Sequence, residues 1–242
     1  MRNYMVMAVG LMLGSSACNT QNAITESNLS PTHPRITMAD VVPVIEPQTA
    51  EDKAKQEKLL QKQASRFKSR DLASKYYVLQ AKRAFNEEKL DSASYLFGLA
   101  YQMDSTNSDI YWGYGMVYGR EQKYDEALFL LYRALEKDTE NPHLLNDVAT
   151  SHLSRFYLNA DPEDLLQSKK LLEQAVKLSP NEADTYYKLA INCYYLREYG
   201  NAWSYLHKSV RRNKEIADKA FITALLEKEQ DPQGLYKPQQ VQ

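Results

Sequence analysis

The sequence contains few cysteines, glycines and prolines: two, eight and nine respectively in 242 residues. Two cysteines, Cys18 and Cys193, cannot form a disulfide framework or a four-ligand zinc site. The scarcity of glycine and proline, together with abundant alanine, leucine, lysine and glutamate, favours helices over a turn-rich β-sandwich. We interpret Cys193 as a small buried hydrophobe, because most free cysteines behave in that way.

Neither sign of charge dominates, since 30 basic residues are balanced by 31 acidic ones. Nucleic-acid-binding proteins usually carry a basic excess, so no nucleic-acid partner is expected. The sequence also lacks a glycine-rich phosphate loop, a His-Glu-x-x-His motif and a Gly-x-Ser-x-Gly motif. His143, His152 and His207 have no acidic partner at metal-ligand spacing. We therefore expect a non-catalytic protein that has no metal and no cofactor.

The first apolar run is too short to span a membrane. It covers residues 4–13 and follows Arg2; as a helix it would extend about 15 Å, half of a bilayer core. Small residues at 14–17 come next. A positive charge, a short apolar segment and small residues in this order predict a secretory signal peptide over residues 1–17.

Cys18 directly follows these small residues, and the arrangement resembles the lipobox of bacterial lipoproteins. Ser16 and Ala17 match the lipobox, whereas Ser15 stands where leucine is usual. The resemblance implies that Cys18 is acylated and becomes the mature N-terminus. Asn19, in place of aspartate, implies the outer membrane of the cell envelope, with the protein facing the periplasm. The alternative is simple cleavage after Ala17, which would release a soluble secreted or periplasmic protein.

Residues 18–50 are predicted to form a disordered, lipid-anchored tether. They are rich in Ser, Thr, Asn and Gln and include four prolines, which resist both helix and sheet. We interpret the apolar run at 41–45 as part of this extended linker, the alternative being that it docks on another surface. Residues 51–73 are helix-prone and heavily charged, and are predicted to form a leading helix that either caps the following domain or acts as a solvated spacer.

Internal repetition organises the rest of the chain. Lys-Leu-Asp-Ser-Ala at 89–93 aligns with Lys-Tyr-Asp-Glu-Ala at 123–127, an offset of 34 residues. The units are framed as 74–107, 108–141, 142–182 and 183–216, and the third is seven residues longer. Each unit has three small residues where paired helices must approach closely. These repeat-signature residues are Ala81, Ala93, Ala100, Gly115, Ala127, Ala134, Ala149, Ser168, Ala175, Ala190, Ala202 and Ser209.

A 34-residue helix–turn–helix unit with these small residues resembles the tetratricopeptide repeat (TPR). The resemblance covers 74–216 and implies an all-α TPR superhelix of about four repeats. A further amphipathic segment at 217–228 is expected to cap the array, which would then span 74–229. Residues 230–242 are predicted to be a flexible tail.

The seven extra residues of the third unit fall between its two predicted helices. Asp161, Pro162, Glu163 and Asp164 form a helix-start signal, with Asp161 as N-cap and proline at the first position. We interpret the insertion as a tolerated loop or a longer second helix. The alternative is a contact with a partner.

First helices line the concave face of TPR proteins, so the resemblance implies a partner-binding groove there. The residues at groove positions are Lys75, Val78, Lys82, Phe85, Trp112, Met116, Arg120, His143, Asn146, Thr150, Leu153, Tyr187, Ile191 and Tyr194. The cationic clamp with which some TPR domains hold carboxylate tails is not evident, since Val78 and Asp147 occupy positions where it needs other residues.

We predict a protein–protein interaction scaffold or adaptor on the extracytoplasmic face of a bacterial membrane. It would bind a partner protein or peptide in the groove and contact the membrane through its lipid anchor only. The alternative is a homo-oligomeric structural element of a cell-envelope assembly or secretion machine.

Overall fold

The computed structural model describes residues 36–44 and 47–237, which contain helices and no strand. The helices are α1 Met38–Val41, α2 Ala50–Ala64, α3 Arg70–Asn86, α4 Leu90–Met103, α5 Ser108–Arg120, α6 Tyr124–Leu135, α7 Pro142–Asn159, α8 Pro162–Leu178, α9 Ala183–Tyr195, α10 Tyr199–Arg212 and α11 Lys219–Leu226. The predicted signal peptide and Cys18 lie outside the described residues. Within those residues, no helix is both long and apolar enough to cross a bilayer.

Helices α3 to α10 form four successive antiparallel pairs, each joined by a short turn. The second helix of each pair packs on the first helix of the next, and first helices of successive pairs also contact one another. The all-α repeat architecture is therefore confirmed. The first pair begins at Arg70, four residues before the predicted boundary, because the Ser69 hydroxyl accepts a hydrogen bond from the Leu72 amide at 3.2 Å and caps α3.

Every first helix is closed by a residue in the left-handed region, and none of the four is glycine. These residues are Glu88, Gln122, Ala160 and Arg197, with φ of 58°, 61°, 54° and 61°. The reversal lets a following amide reach back along the helix, as when the Lys123 amide donates to the Tyr118 carbonyl at 2.9 Å. Glycine is the usual residue at such closures, so these turns carry little local sequence signal.

The twelve repeat-signature residues are all buried between the helices. Eleven of them are at most 2% exposed, and Gly115 is buried as well. A Cβ added at Gly115 would lie 2.5 Å from Leu131 Cγ, so glycine is needed for the close approach of α5 and α6. Cys193 is a free, fully buried thiol, and burial raises its pKa to about 12.

The seven extra residues of the third repeat lie inside helices. Helices α7 and α8 have 18 and 17 residues, where α5 and α6 have 13 and 12. The loop interpretation is therefore wrong. The interpretation as a longer second helix is correct but incomplete, because α7 and α8 both gain about one turn. The predicted start of α8 is confirmed: Pro162 is at its first turn, and the Asp161 carboxylate accepts from the Glu163 amide at 3.0 Å.

Part of the predicted disordered tether is folded. Residues 36–44 include the short helix α1, and Val41 and Val42 are 0% and 4% exposed in the core of the first two repeats. The Tyr118 hydroxyl donates to the Val41 carbonyl at 3.0 Å. The interpretation of this stretch as an extended linker is therefore wrong for Val41 and Val42, which dock on the array because their burial offsets the cost of ordering a short segment. We call residues 36–44 the strap.

The predicted leading helix 51–73 is interrupted. Helix α2 ends at Ala64, and the next helix starts at Arg70. Leu60 is the buried residue of α2 and packs beside Ala73 and Met103. This narrow apolar contact makes α2 a cap on the first repeat, while its charged residues remain exposed.

The C-terminal end is also more ordered than predicted. Helix α11 caps the last repeat through Leu225, which is fully buried. Beyond it, the Asp231 carboxylate accepts hydrogen bonds from the amides of Leu235 and Tyr236 at 2.9 and 3.0 Å. The Tyr236 ring stacks on Trp203 at 6.0 Å between centroids. The flexible-tail prediction is therefore wrong for residues 231–237.

Candidate functional site

The inner side of the array, formed by the first helices, contains a cleft with a volume of about 280 Å³ that is lined by residues of α3, α5, α6 and α7. We call it the α5 cleft. Its lining is mainly apolar, and its polar groups are hydroxyls, one carboxylate and one guanidinium. The lining residues are Phe85, Gly115, Met116, Gly119, Arg120, Tyr124, Leu131, Asp147, Thr150, Ser151 and Ser154. Four groove residues predicted from the repeat register, Phe85, Met116, Arg120 and Thr150, thus lie together in one cavity.

Arg120 forms the charged edge of the α5 cleft. Its guanidinium carbon lies 5.4 Å from the centre of the Phe85 ring, in a cation–π arrangement. Its side chain is mostly exposed and lies 3.7 Å from Glu88, which is more exposed still. An exposed ion pair at this distance contributes little, so the guanidinium can exchange it for a ligand carboxylate.

Trp112 lies next to the cleft residue Asp147 and is contacted on both sides. Its Nε1 donates to Asp147 Oδ2 at 2.7 Å, and Lys82 Nζ lies 5.2 Å from its ring centre. Lys82 also pairs with Asp109 at 3.3 Å. Burial raises the pKa of Asp147, although the hydrogen bond from Trp112 and the charge of Lys188 oppose that rise. The contacts with Asp147 and Lys82 therefore hold the Trp112 ring in one orientation.

A second group of aromatic rings covers the inner side of the third and fourth repeats. Tyr157 and Tyr195 are 53% and 44% exposed. Their ring centroids are 5.6 Å apart, and Phe156 lies 5.2 Å from Tyr195. Tyr157 belongs to the extra turn of α7, so the insertion adds a ring to the groove. We call Phe156, Tyr157, Tyr187, Tyr194, Tyr195 and Phe221 the aromatic cluster.

Helix α11 covers two of the predicted groove residues. Phe221 lies 5.6 Å from both Tyr187 and Tyr194, measured between ring centroids. The Asp218 amide donates to the Tyr187 hydroxyl at 3.3 Å. Tyr187 and Tyr194 are therefore half-buried. They contact the capping helix α11 and also form part of the inner surface.

The remaining predicted groove residues are dispersed. Val78 and Leu153 are buried, so their assignment to an open groove surface is wrong. Lys75 is exposed and pairs with Asp71 in the first turns of α3, and His143 is exposed at the start of α7. The remaining two, Asn146 and Ile191, are half-buried.

A polar network is buried between the second and third repeats, and the spacing of its residues in the sequence did not predict it. His152 Nδ1 lies 2.7 Å from Asp164 Oδ1, and Arg155 contacts Asp164 and Asp125 at 2.7 and 2.6 Å. The Tyr132 hydroxyl completes it, 2.7 Å from His152 Nε2. Because α7 and α8 are longer than expected, His152 meets an acidic residue twelve positions away. The network is buried in the helix interface, outside the groove.

No group of three potential metal ligands occurs among residues 36–44 and 47–237. The sequence matches no protein-family model and no curated protein. Its structure resembles MamA AMB-1, at 14% identity and a TM-score of 0.55 over 68% of this chain and 87% of that one. MamA 41-end from Desulfovibrio magneticus RS-1 matches at 15% identity and a TM-score of 0.50, over 69% and 98% of the two chains.

A third similar structure is TTC0263, described as a thermophilic TPR protein in Thermus thermophilus. It shares 14% identity and a TM-score of 0.52, over 64% of this chain and 80% of that one. At such identities the likeness concerns the fold alone. The repeat register, the paired helices and these neighbours together show that the chain has a TPR-type fold.

Proposed function

We propose that this protein is a non-catalytic interaction scaffold that binds a segment of another protein along the inner side of its helical array. The observation that carries the proposal is the α5 cleft, where residues from three first helices converge on one solvent-accessible cavity. The aromatic cluster extends this inner surface into the third and fourth repeats. Tryptophan, tyrosine, methionine and arginine are the residue types enriched in protein interfaces, and all four occur here.

The location is a second part of the proposal. The signal peptide and the lipobox-like Cys18 support an anchor in a bacterial envelope membrane, with the array on the extracytoplasmic side. The strap, which follows the predicted anchor in the sequence, packs against the first two repeats through Val41 and Val42.

Site-directed photo-crosslinking in intact cells tests both parts. A photo-reactive phenylalanine analogue replaces Met116 in the α5 cleft, and in a matched variant it replaces Tyr95, which is 65% exposed on the second helix α4. Each variant is made with Cys18 and with Cys18→Ser. We expect a discrete adduct from position 116, none of that mass from position 95, and loss of the adduct from the membrane fraction when Cys18 is replaced.

Other patterns of adducts have definite meanings. An adduct from position 95 alone, with the mass of two copies of this chain, would support the homo-oligomeric assembly element. An absence of adducts at position 116 in a folded, membrane-bound protein would argue against a groove that binds protein. Membrane retention after Cys18→Ser would rule out lipidation at Cys18 as the anchor.

A further inference from the structure

The α5 cleft exists because one side chain is absent from a repeat position that is otherwise large. Residue 119 in α5 is equivalent to Phe85 in α3, Leu153 in α7 and Tyr194 in α9, at offsets of 34, 34 and 41 residues. Those three residues fill the inner side of their repeats. In the second repeat the position is Gly119, and the cleft lies above it.

Neither packing nor backbone geometry requires this glycine. Apart from the helix's own backbone, the nearest atom to a Cβ added at Gly119 would be Ser151 Oγ at 4.0 Å, an ordinary van der Waals distance that leaves room for a methyl group. The residue has no positive φ, unlike Gln122 three residues later. Glycine weakens a helix relative to alanine, and Gly115, one turn earlier, is explained by its contact with Leu131. What Gly119 does provide is the depth of the cleft.

The shape and lining of the cleft define what can enter it. Its volume of about 280 Å³ falls just below the range of roughly 300–1,000 Å³ typical of small-molecule sites and is large enough for one bulky side chain. Met116, Leu131 and the Phe85 ring offer apolar contacts. Arg120 stands at the rim with an exposed guanidinium and a weak ionic contact. The ionic partner of Arg120 is Glu88, whereas Asp147 Oδ2 accepts a hydrogen bond from Trp112 Nε1.

We infer that the α5 cleft binds one bulky apolar side chain, such as leucine, of a partner segment in which an acidic residue adjoins it and pairs with Arg120. This inference rests on the proposed function and specifies the partner. The apolar side chain would anchor the segment above Gly119, while the neighbouring carboxylate would set its direction along α5. The aromatic cluster then receives residues farther along the same segment.

Methyl spectroscopy with short capped peptides tests the inference on the purified full-length protein. The probe is acetyl-Gly-Ser-Leu-Asp-Ser-Gly-amide, and the reporter is the Met116 methyl group labelled with carbon-13. Met38 in the strap and Met103, buried beside α2, serve as internal references. We expect a saturable shift of the Met116 signal. Replacing leucine in the peptide by alanine should weaken binding by about tenfold or more, and replacing aspartate by lysine by about threefold.

Two protein variants separate the cleft from the rest of the surface. Gly119→Leu should abolish the Met116 shift by filling the cleft, and it should fold because Leu153 occupies the equivalent position. Gly200→Leu makes the same change at an exposed position of the second helix α10 and should bind as wild type does. Circular dichroism verifies that both variants are folded.

Three results would overturn the inference: no shift of Met116 with the probe, binding unaffected by Gly119→Leu, or equal binding of the alanine peptide. None of them would remove the proposed function, because crosslinking from position 116 could still yield a partner adduct. A missing adduct together with a positive peptide titration would instead support the inferred specificity of the cleft and contradict the proposal that the cleft binds a partner in the cell.

Discussion

The two halves of the inner surface, α3 to α7 and α7 to α11, are built from the same repeat but present different surfaces. In the first half, equivalent positions of α3 and α5 are occupied by the large Phe85 and the small Gly119. The missing side chain at Gly119 leaves the α5 cleft, with the Arg120 guanidinium at its rim. Between α7 and α11 the equivalent residues are Leu153 and Tyr194, and the aromatic cluster occupies the space. The first half therefore contains a cleft with a charged edge, whereas the second half is filled by uncharged aromatic rings.

This difference shows how little sequence change redirects a repeat surface. The buried small residues are shared by all four repeats, so the scaffold is constant. One glycine opens the first half, and one extra turn in α7 brings Tyr157 into the second. The polar network around Arg155 lies where the two halves meet and holds the lengthened helices against α6. Framework and recognition therefore reside in different residues.

The largest effect should come from removing Arg155, which joins the two halves. Arg155→Met leaves Asp164, whose side chain is 3% exposed, with His152 as its remaining partner in the network. Removing one partner of a buried ion pair costs about 3–5 kcal/mol. We expect that loss in the free energy of unfolding measured with urea. Hydrogen exchange should rise in α7 and α8 more than in α3 and α4.

A matched control uses the more exposed pair of Lys169 and Glu198, with side chains 20% and 34% exposed. Lys169→Met should cost less than Arg155→Met, because the Glu198 carboxylate that it leaves behind is 34% exposed and stays solvated. Equal effects of the two substitutions, or uniform exchange along the array after Arg155→Met, would mean that the network does not hold the two halves together.

Much of the framework could be predicted from the sequence, because repetition multiplies a weak signal. Any one alanine is uninformative, but twelve small residues at offsets of 34, or 41 across the longer third repeat, identify the helix pairs and their contacts. The start of α8 was equally predictable, since Asp161 and Pro162 act locally. Phe85, Met116 and Arg120 follow from the register together with the resemblance to TPR proteins. In these cases the structural outcome depends on neighbours within a helical turn or on a strict period.

The missed features depend on contacts between distant segments. Val41 and Val42 are apolar residues in a proline-rich stretch, and only the surface beside Tyr118 makes their burial favourable. Tyr236 stacks on Trp203, 33 positions earlier, and His152 meets Asp164 because both flanking helices are longer than the repeat predicts. Gly119 is different: the aligned Phe85, Leu153 and Tyr194 were visible, so comparison of repeat positions could have found the cleft.

Gly115 and Gly119, two of the three glycines of α5, give the next largest effect and separate framework from recognition within one helix. Gly115→Ala places a methyl group 2.5 Å from Leu131 Cγ, and overpacking of this kind costs about 1–3 kcal/mol. Gly119→Ala meets no atom closer than 4.0 Å and should be neutral or stabilising by up to about 1 kcal/mol. Urea unfolding midpoints measure both. A loss of stability in both variants would mean that Gly119 belongs to the framework.

The smallest expected effect is the pH dependence of Asp147, which contrasts with that of Asp164. Burial would raise the pKa of Asp164, but hydrogen bonds from His152 and Arg155 outweigh it and lower the pKa. Asp164 therefore stabilises the fold above the unfolded pKa of about 3.9, and this contribution is lost as the pH falls through the folded value. For Asp147 burial prevails and the pKa is raised. Its ionisation therefore opposes folding at neutral pH, and that opposition disappears in acid.

Asp147→Asn removes the charge and keeps an oxygen that can accept from Trp112 Nε1. The variant should melt slightly higher than wild type at pH 7, and the difference should shrink as the pH approaches about 4. Thermal melts between these pH values measure it, with Asp164→Asn expected to melt lower than wild type at pH 7. A constant difference, or a less stable Asp147→Asn at pH 7, would contradict the assignment. The expected gain would mean that the carboxylate beside the α5 cleft is kept against stability, as residues that serve a ligand often are.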